Sequence, residues 1–158
     1  MNTANPITYN IYTDGGYFHK KDIGGWACVI YQDEQEIYRN SGFKKKTSSL
    51  EMELLAAHKA LNSLSEFDKL NIDANIHIKI HTDSRILIEG LMDKYQTWCA
   101  NDWKVKSGKT VVYKELWQKL SEQGEKLKVH WQWVKGHAGN EGNERADALA
   151  NKGMDGVR

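Results

Sequence analysis

Between residues 7 and 12 apolar and polar positions alternate, with Ile7, Tyr9 and Ile11 set against Thr8, Asn10 and Tyr12. A period of two predicts a β-strand, and the "YTDGG" that follows reads as its close, with Asp14 at the strand end in an Asp-Gly turn pair. Two more extended runs, residues 24–32 and 35–43, are joined by the polar stretches "DGGYFHKKDI" and "DEQ". Connections this short predict an antiparallel meander. The period then changes. Residues 48–64, "SSLEMELLAAHKALNSL", read as a helix. Alternation returns in "ANIHIKIHTDS", where Ile76, Ile78 and Ile80 mark a fourth strand. The segment "SRILIEGLMDKYQTW" predicts one helix with Ser84 as its cap, and "YKELWQKLSEQ" predicts another. "KLKVHWQWVKG" gives a fifth strand with Leu127, Val129, Trp131 and Trp133 on one face, and "GNERADALANK" closes as a short helix. Helices between the fourth and fifth strands are what a parallel crossover requires. The expected architecture is α/β: a five-stranded mixed sheet, three strands antiparallel and the others parallel, flanked by helices. With no repeat or linker, residues 1–158 read as one domain.

The first helix raises a chemical question. At 100° per residue, with Leu50 at zero, Leu54, Ala57, Leu61 and Leu64 fall near about 40°, 340°, 20° and 320°. Glu53 falls at about 300°, inside that apolar sector, while Glu51 falls at about 100°. Glu51 suits a capping role behind Ser48. Glu53 would be buried with no basic partner on its own helix, an expensive arrangement unless a cation or hydrogen bonds offset it. Asp14 after strand 1, Asp83 after strand 4 and Asp147 in the last helix each have a dull explanation alone: a turn, a helix start, a solvated face. Together they describe carboxylates that an open α/β sheet would bring toward one helical glutamate. Four clustered carboxylates repel, and all-oxygen ligands favour a hard ion, Mg²⁺ or Mn²⁺.

Charge sharpens this picture. The net charge is only +1, but residues 94–119 carry six lysines against Asp102 and Glu115, a local +4 that leaves −3 elsewhere. Lys44, Lys45 and Lys46 form a second basic knot. Lysine clusters are commonly just solvated surface; beside an acidic centre they also suit phosphate tracking. No apolar run approaches the roughly 20 residues that span a bilayer. The N-terminus lacks the signature of a secretory signal, and Cys28 and Cys99 have no metal or disulfide spacing, so a cytoplasmic setting is expected.

The motifs "YTDGG", "MELLAA", "HTDS" and "WVKGHAGNEGNERADALA", in this order, resemble type 1 ribonuclease H over about residues 7–152. The resemblance implies a ribonuclease H-like fold and cleavage of the RNA strand of an RNA–DNA hybrid by a monomeric enzyme. It places the acidic quartet, both catalytic and metal-binding, on Asp14, Glu53, Asp83 and Asp147, holding two Mg²⁺ ions with substrate, Mn²⁺ being an alternative. It places the loop histidine on His137, for proton transfer or product release. Asn143 and Glu144 become candidates for substrate contact near the cut. The family's basic protrusion falls on "YQTWCANDWKVKSGKTVVYKELW", where Trp98 and Trp103 interleave with Lys104, Lys106 and Lys109 and suit a DNA-strand backbone.

Two departures from the family pattern stand out. Lys20 occupies a position where Asn is frequent, and Ser49 and Leu50 replace a common Asn pair. Serine still offers a hydroxyl to phosphate or a 2′-hydroxyl; leucine does not. Salt-dependent backbone binding through Lys20 and Lys21 is the expected consequence. Competing readings are a junction resolvase or integrase core on the same sheet, which the "GHAGNEGNERAD" ending disfavours, a non-catalytic hybrid-binding module, and a domain from a reverse transcriptase.

Overall fold

The computed structural model describes residues 6–67 and 75–155. Five strands form one sheet in the order β3-β2-β1-β4-β5: β1 Ile7–Phe18, β2 Ile23–Gln32, β3 Gln35–Lys45, β4 Ile76–Thr82 and β5 His130–Trp133. The first three pair antiparallel, and β4 and β5 join parallel, as the periodicity predicts.

One expectation fails at β1. Asp14-Gly15 is not a turn: β1 runs four residues past Asp14 to Phe18, with Gly15 opposite Trp26 and Gly16 opposite Gly25. The glycines answer to packing instead. A Cβ on Gly15 would lie 2.5 Å from the Glu53 amide nitrogen, so the missing side chain lets helix α1 (Ser49–Phe67) lie directly on the strand. The connection to β2 shrinks to a short 3-10 turn, His19–Lys21, and Asp22 in a left-handed conformation.

Helix α1 starts as its pattern predicts. Ser48 Oγ accepts the Glu51 N–H at 3.1 Å, and the Glu51 carboxylate binds Thr47 Oγ1 and Lys44 Nζ. Leu54, Ala57, Leu61 and Leu64 are all buried, facing Ile11, Cys28, Ile30 and Ile80 of the sheet across the main core. Ser84 caps α2 (Arg85–Glu89) through the Leu87 N–H. The single helix expected there is interrupted by a π turn, Gly90–Lys94, before α3 (Tyr95–Ala100). Gly90 marks the reason: a Cβ there would sit 2.2 Å from the Trp117 ring, which α4 (Lys114–Lys126) drives into this spot. β5 is shorter than expected, and Leu127 and Val129 precede it while still packing on the core. The last helix, α5 (Glu141–Asp155), covers the opposite face of β1, β2 and β3, with Asn140 Oδ1 accepting the Asn143 N–H at its start. Among the described residues no helix is long and apolar enough to cross a membrane.

Candidate metal centre

Four elements converge at Asp14. It sits within β1, 4% exposed. Glu53 comes from the first turns of α1, 6% exposed. Asp83 follows β4, and Asp147 approaches from α5. Carboxylate oxygens of Asp14, Glu53 and Asp83 all lie within 4.8 Å of one another. Asp147 falls outside that trio yet reaches Asp14, with which it shares a side-chain hydrogen bond.

The backbone and neighbouring side chains aim these groups. Glu53 Oε1 accepts the Gly15 N–H at 3.0 Å, and Oε2 accepts the Thr82 hydroxyl at 3.5 Å. Asn143 donates to Asp83 Oδ2 at 3.3 Å, and the Trp133 indole donates to the Asp83 carbonyl at 3.2 Å. A Cβ on Gly136 would meet Asp83 Oδ2 at 2.8 Å, so the loop carrying His137 can pass over this carboxylate only with glycine there. His137 itself is exposed, in a left-handed conformation.

No lysine or arginine forms an ion pair with any of the four acids among the described residues. Burial and the nearby charges of Glu53, Asp83 and Asp147 push the Asp14 carboxyl far above the usual carboxylate range. Burial, with Asp83 adding to it, pushes Glu53 up as well. Both shifts mean that the ionised forms lack a counter-charge. An all-oxygen set of this kind fits a hard divalent cation.

A cleft of about 380 Å³ opens beside the acids, lined by Ser49, Glu53, Asp83, Ser84, Arg85, Ile86 and Trp133. The Arg85 guanidinium lies 4.1 Å over the Trp133 ring. Sequence reasoning did not single out Arg85 or Trp133; the step from a β4 carboxylate to the first residue of α2 was the available signal for Arg85. Among the residues it did single out, Ser49 is exposed on the cleft wall, and Lys20, Lys104, Lys106, Lys109 and Glu144 are exposed.

Two of those assignments need correction. Trp103 is 5% exposed and packs edge-on against Tyr95 and beside Trp98. It anchors the basic segment to the core and has no free face for a nucleic-acid strand. Trp98 is half-buried, against Trp103 and Trp117. Asn143 is 2% exposed and spends its amide on Asp83, so it positions a metal-binding candidate and does not reach out to substrate.

A five-stranded mixed sheet with an acidic centre of this construction defines a metal-dependent nuclease class. The family model described as RNase H matches residues 6–155. The chain is 41% identical over 145 residues to a protein named Ribonuclease H from Francisella tularensis subsp. novicida (strain U112), covering 90% of this chain and 88% of that one. Another Ribonuclease H, from Francisella philomiragia subsp. philomiragia, matches with the same identity and coverage. Among solved structures, LC9-RNase H1, described as a type 1 RNase H with the type 2 active-site motif, superposes with a TM-score of 0.80 at 22% identity, covering 99% of this chain and 76% of that one. LC11-RNase H1 in complex with RNA/DNA hybrid superposes with a TM-score of 0.71 at 24% identity, covering 94% of this chain and 98% of that one. The chain belongs to the RNase H family and is a ribonuclease H-type enzyme.

Proposed function

We propose that this chain hydrolyses the RNA strand of RNA–DNA hybrids with two divalent ions, leaving 5′-phosphate and 3′-hydroxyl ends. The observation that carries this reading is the trio Asp14, Glu53 and Asp83, gathered within 4.8 Å without a basic partner among the described residues. Bound Mg²⁺ or Mn²⁺ supplies neutralising charge on the scissile phosphate and a lowered pKa for the attacking water.

The chain's own residues divide the remaining work. Asp14, in contact with all three other acids, bridges the two ion positions. Asp147 and Asp14 together hold the position on the water side. Glu53 and Asp83 hold the position at the leaving group, where the Gly15 N–H and the Asn143 amide fix their carboxylates. Fixed carboxylates need no rearrangement when the reaction's charge develops, which is the condition for electrostatic catalysis. His137, one residue beyond the glycine that touches Asp83, moves a proton at the leaving oxygen or assists product release. Ser49 and Arg85 offer a hydroxyl and a guanidinium to the RNA strand in the cleft. Lys104, Lys106 and Lys109 line an exposed loop held in place by the Trp103 carbonyl, which accepts the Val111 N–H at 2.8 Å, and suit the DNA-strand backbone. The hybrid-bound relative LC11-RNase H1 supports this choice of partner.

The test incubates the protein with RNA–DNA hybrid, single-stranded RNA, duplex RNA and duplex DNA, each with Mg²⁺, Mn²⁺ or chelator. Cleavage confined to the hybrid's RNA strand and lost with chelator is the expected result. Hybrid binding without cleavage under every metal condition overturns the nuclease reading in favour of a binding module.

A further inference from the structure

Two lysine runs far apart in sequence meet in space. The turn after β1 carries Lys20 and Lys21, and the end of β3 carries Lys44, Lys45 and Lys46. Strand register joins them: Ile23 pairs with Lys45 and Gly24 with Lys44. Asp22 ties the junction together. Its carbonyl accepts the Lys46 N–H at 2.9 Å. Its carboxylate accepts the Tyr17 hydroxyl at 2.6 Å and the Thr47 N–H at 3.3 Å. The backbone beneath the lysines is therefore fixed at several points.

The charges at this tip are unequal. Lys44 is taken up by Glu51 at 2.6 Å. Lys20, Lys21, Lys45 and Lys46 are exposed, and none has an ion-pair partner among the described residues. Four free lysines stand over one carboxylate, Asp22, whose hydrogen bonds come from uncharged groups. Compact like charges on a pinned backbone repel one another, and a polyanion relieves that repulsion.

Position decides which polyanion fits. β1 connects the tip directly to the acidic centre, and Asp14 is five to six residues from the turn. At about 3.3 Å per residue the tip lies roughly 17–20 Å from Asp14. Phosphates along one strand recur about every 3.4 Å, so this distance corresponds to roughly five or six nucleotides. We propose that the tip of the β1–β2 hairpin and the end of β3 form a second backbone-binding surface, which takes phosphates of the hybrid about half a helical turn from the cut. This rests on the nuclease reading above for the position of the cut. It adds Lys45 and Lys46 to the substrate footprint and makes catalytic efficiency depend on hybrid length.

The double variant Lys45→Ala/Lys46→Ala tests it, with Lys45→Arg/Lys46→Arg as the charge-preserving control. Steady-state cleavage is compared on a hybrid of about 24 base pairs and one of about 8 base pairs centred on the cut, across a salt series. On the long hybrid the alanine variant should raise KM several-fold with kcat unchanged. Its slope of log(kcat/KM) against log[salt] should shrink by about 2, near 0.9 per lysine. The arginine variant should restore both, and on the short hybrid all three proteins should coincide. An unchanged slope on the long hybrid overturns the proposal, as does an equal loss on both lengths, which would mean a disturbed metal centre. If the wild type cleaves no hybrid, the nuclease reading fails separately. Fluorescence anisotropy with the long hybrid in chelator then decides: a shallower salt slope for the alanine variant supports the surface, and an identical slope removes it.

Discussion

Asp14 is where burial and like charge act on one side chain. Its carboxyl is 4% exposed and faces three other acids. Replacing it with Asn keeps the shape and removes the charge. The expected outcome of Asp14→Asn is loss of hybrid cleavage together with a gain in metal-free stability, on the order of 1–3 kcal/mol, measured by chemical unfolding in chelator. The opposite signs separate a functional charge from a structural one: a carboxylate serving the fold would lose stability on neutralisation. Its neighbour Thr13 makes a different point. Thr13 is fully buried, and its hydroxyl has no hydrogen-bond partner. Thr13→Val removes an unsatisfied polar atom at constant shape and should stabilise the protein by about 1 kcal/mol, visible as a higher denaturation midpoint. At this scale the sequence was informative where periodicity bears on one side chain. The helical wheel placed Glu53 in the buried sector and Glu51 at the cap, and both stand there. It was silent on Asn143 and Arg85, because their roles depend on partners 60 residues away and on the Trp133 ring.

Between elements, close approach is the decisive feature. The α1–β1 contact exists because Gly15 has no side chain, and the same contact delivers the Gly15 N–H to Glu53 Oε1. Gly15→Ala places a methyl against helix backbone, which cannot yield as a flexible side chain does. It should destabilise the protein by roughly 3 kcal/mol. Residual folded protein should cleave hybrid more slowly, since Glu53 shifts with its helix. Thermal unfolding and single-turnover cleavage at matched folded fractions check the two effects separately. The Asp-Gly pair read as a turn from local chemistry, and in isolation that is its commonest use. Only the packing of α1 reveals that this glycine serves a crossing. The break in the 85–100 helix has the same origin, since Gly90 gives way to a tryptophan from α4. Strand and helix types were legible because each needs only its own periodicity. Contacts between elements were not, because no local pattern encodes the partner.

Across the whole molecule, the acidic centre and the open part of the sheet respond to pH with opposite signs. Asp14 and Glu53 have folded-state pKa values raised above their ordinary values of 3.8 and 4.5. Their contribution to stability is complete below those ordinary values and is lost as pH rises through the raised ones. His81 behaves conversely. Stacked on Tyr12 and bonded to Asn10 Oδ1 at 2.8 Å, it is held by burial at a pKa of about 4 against an ordinary 6.5. The charges of Lys79 and His130 act in the same direction. Its contribution is present above pH 6.5 and is lost as pH falls toward 4. Divalent ions compete with protons only at the acidic centre. The increase in melting temperature on adding Mg²⁺ should therefore be large at pH 8 and small at pH 5, while His81→Gln should flatten the decline between pH 6.5 and 4 without changing the Mg²⁺ increment at pH 8. Calorimetry over that range, with Mg²⁺ or chelator, reads both. A Mg²⁺ increment equal at the two pH values would mean that the ion stabilises the fold somewhere other than at Asp14 and Glu53.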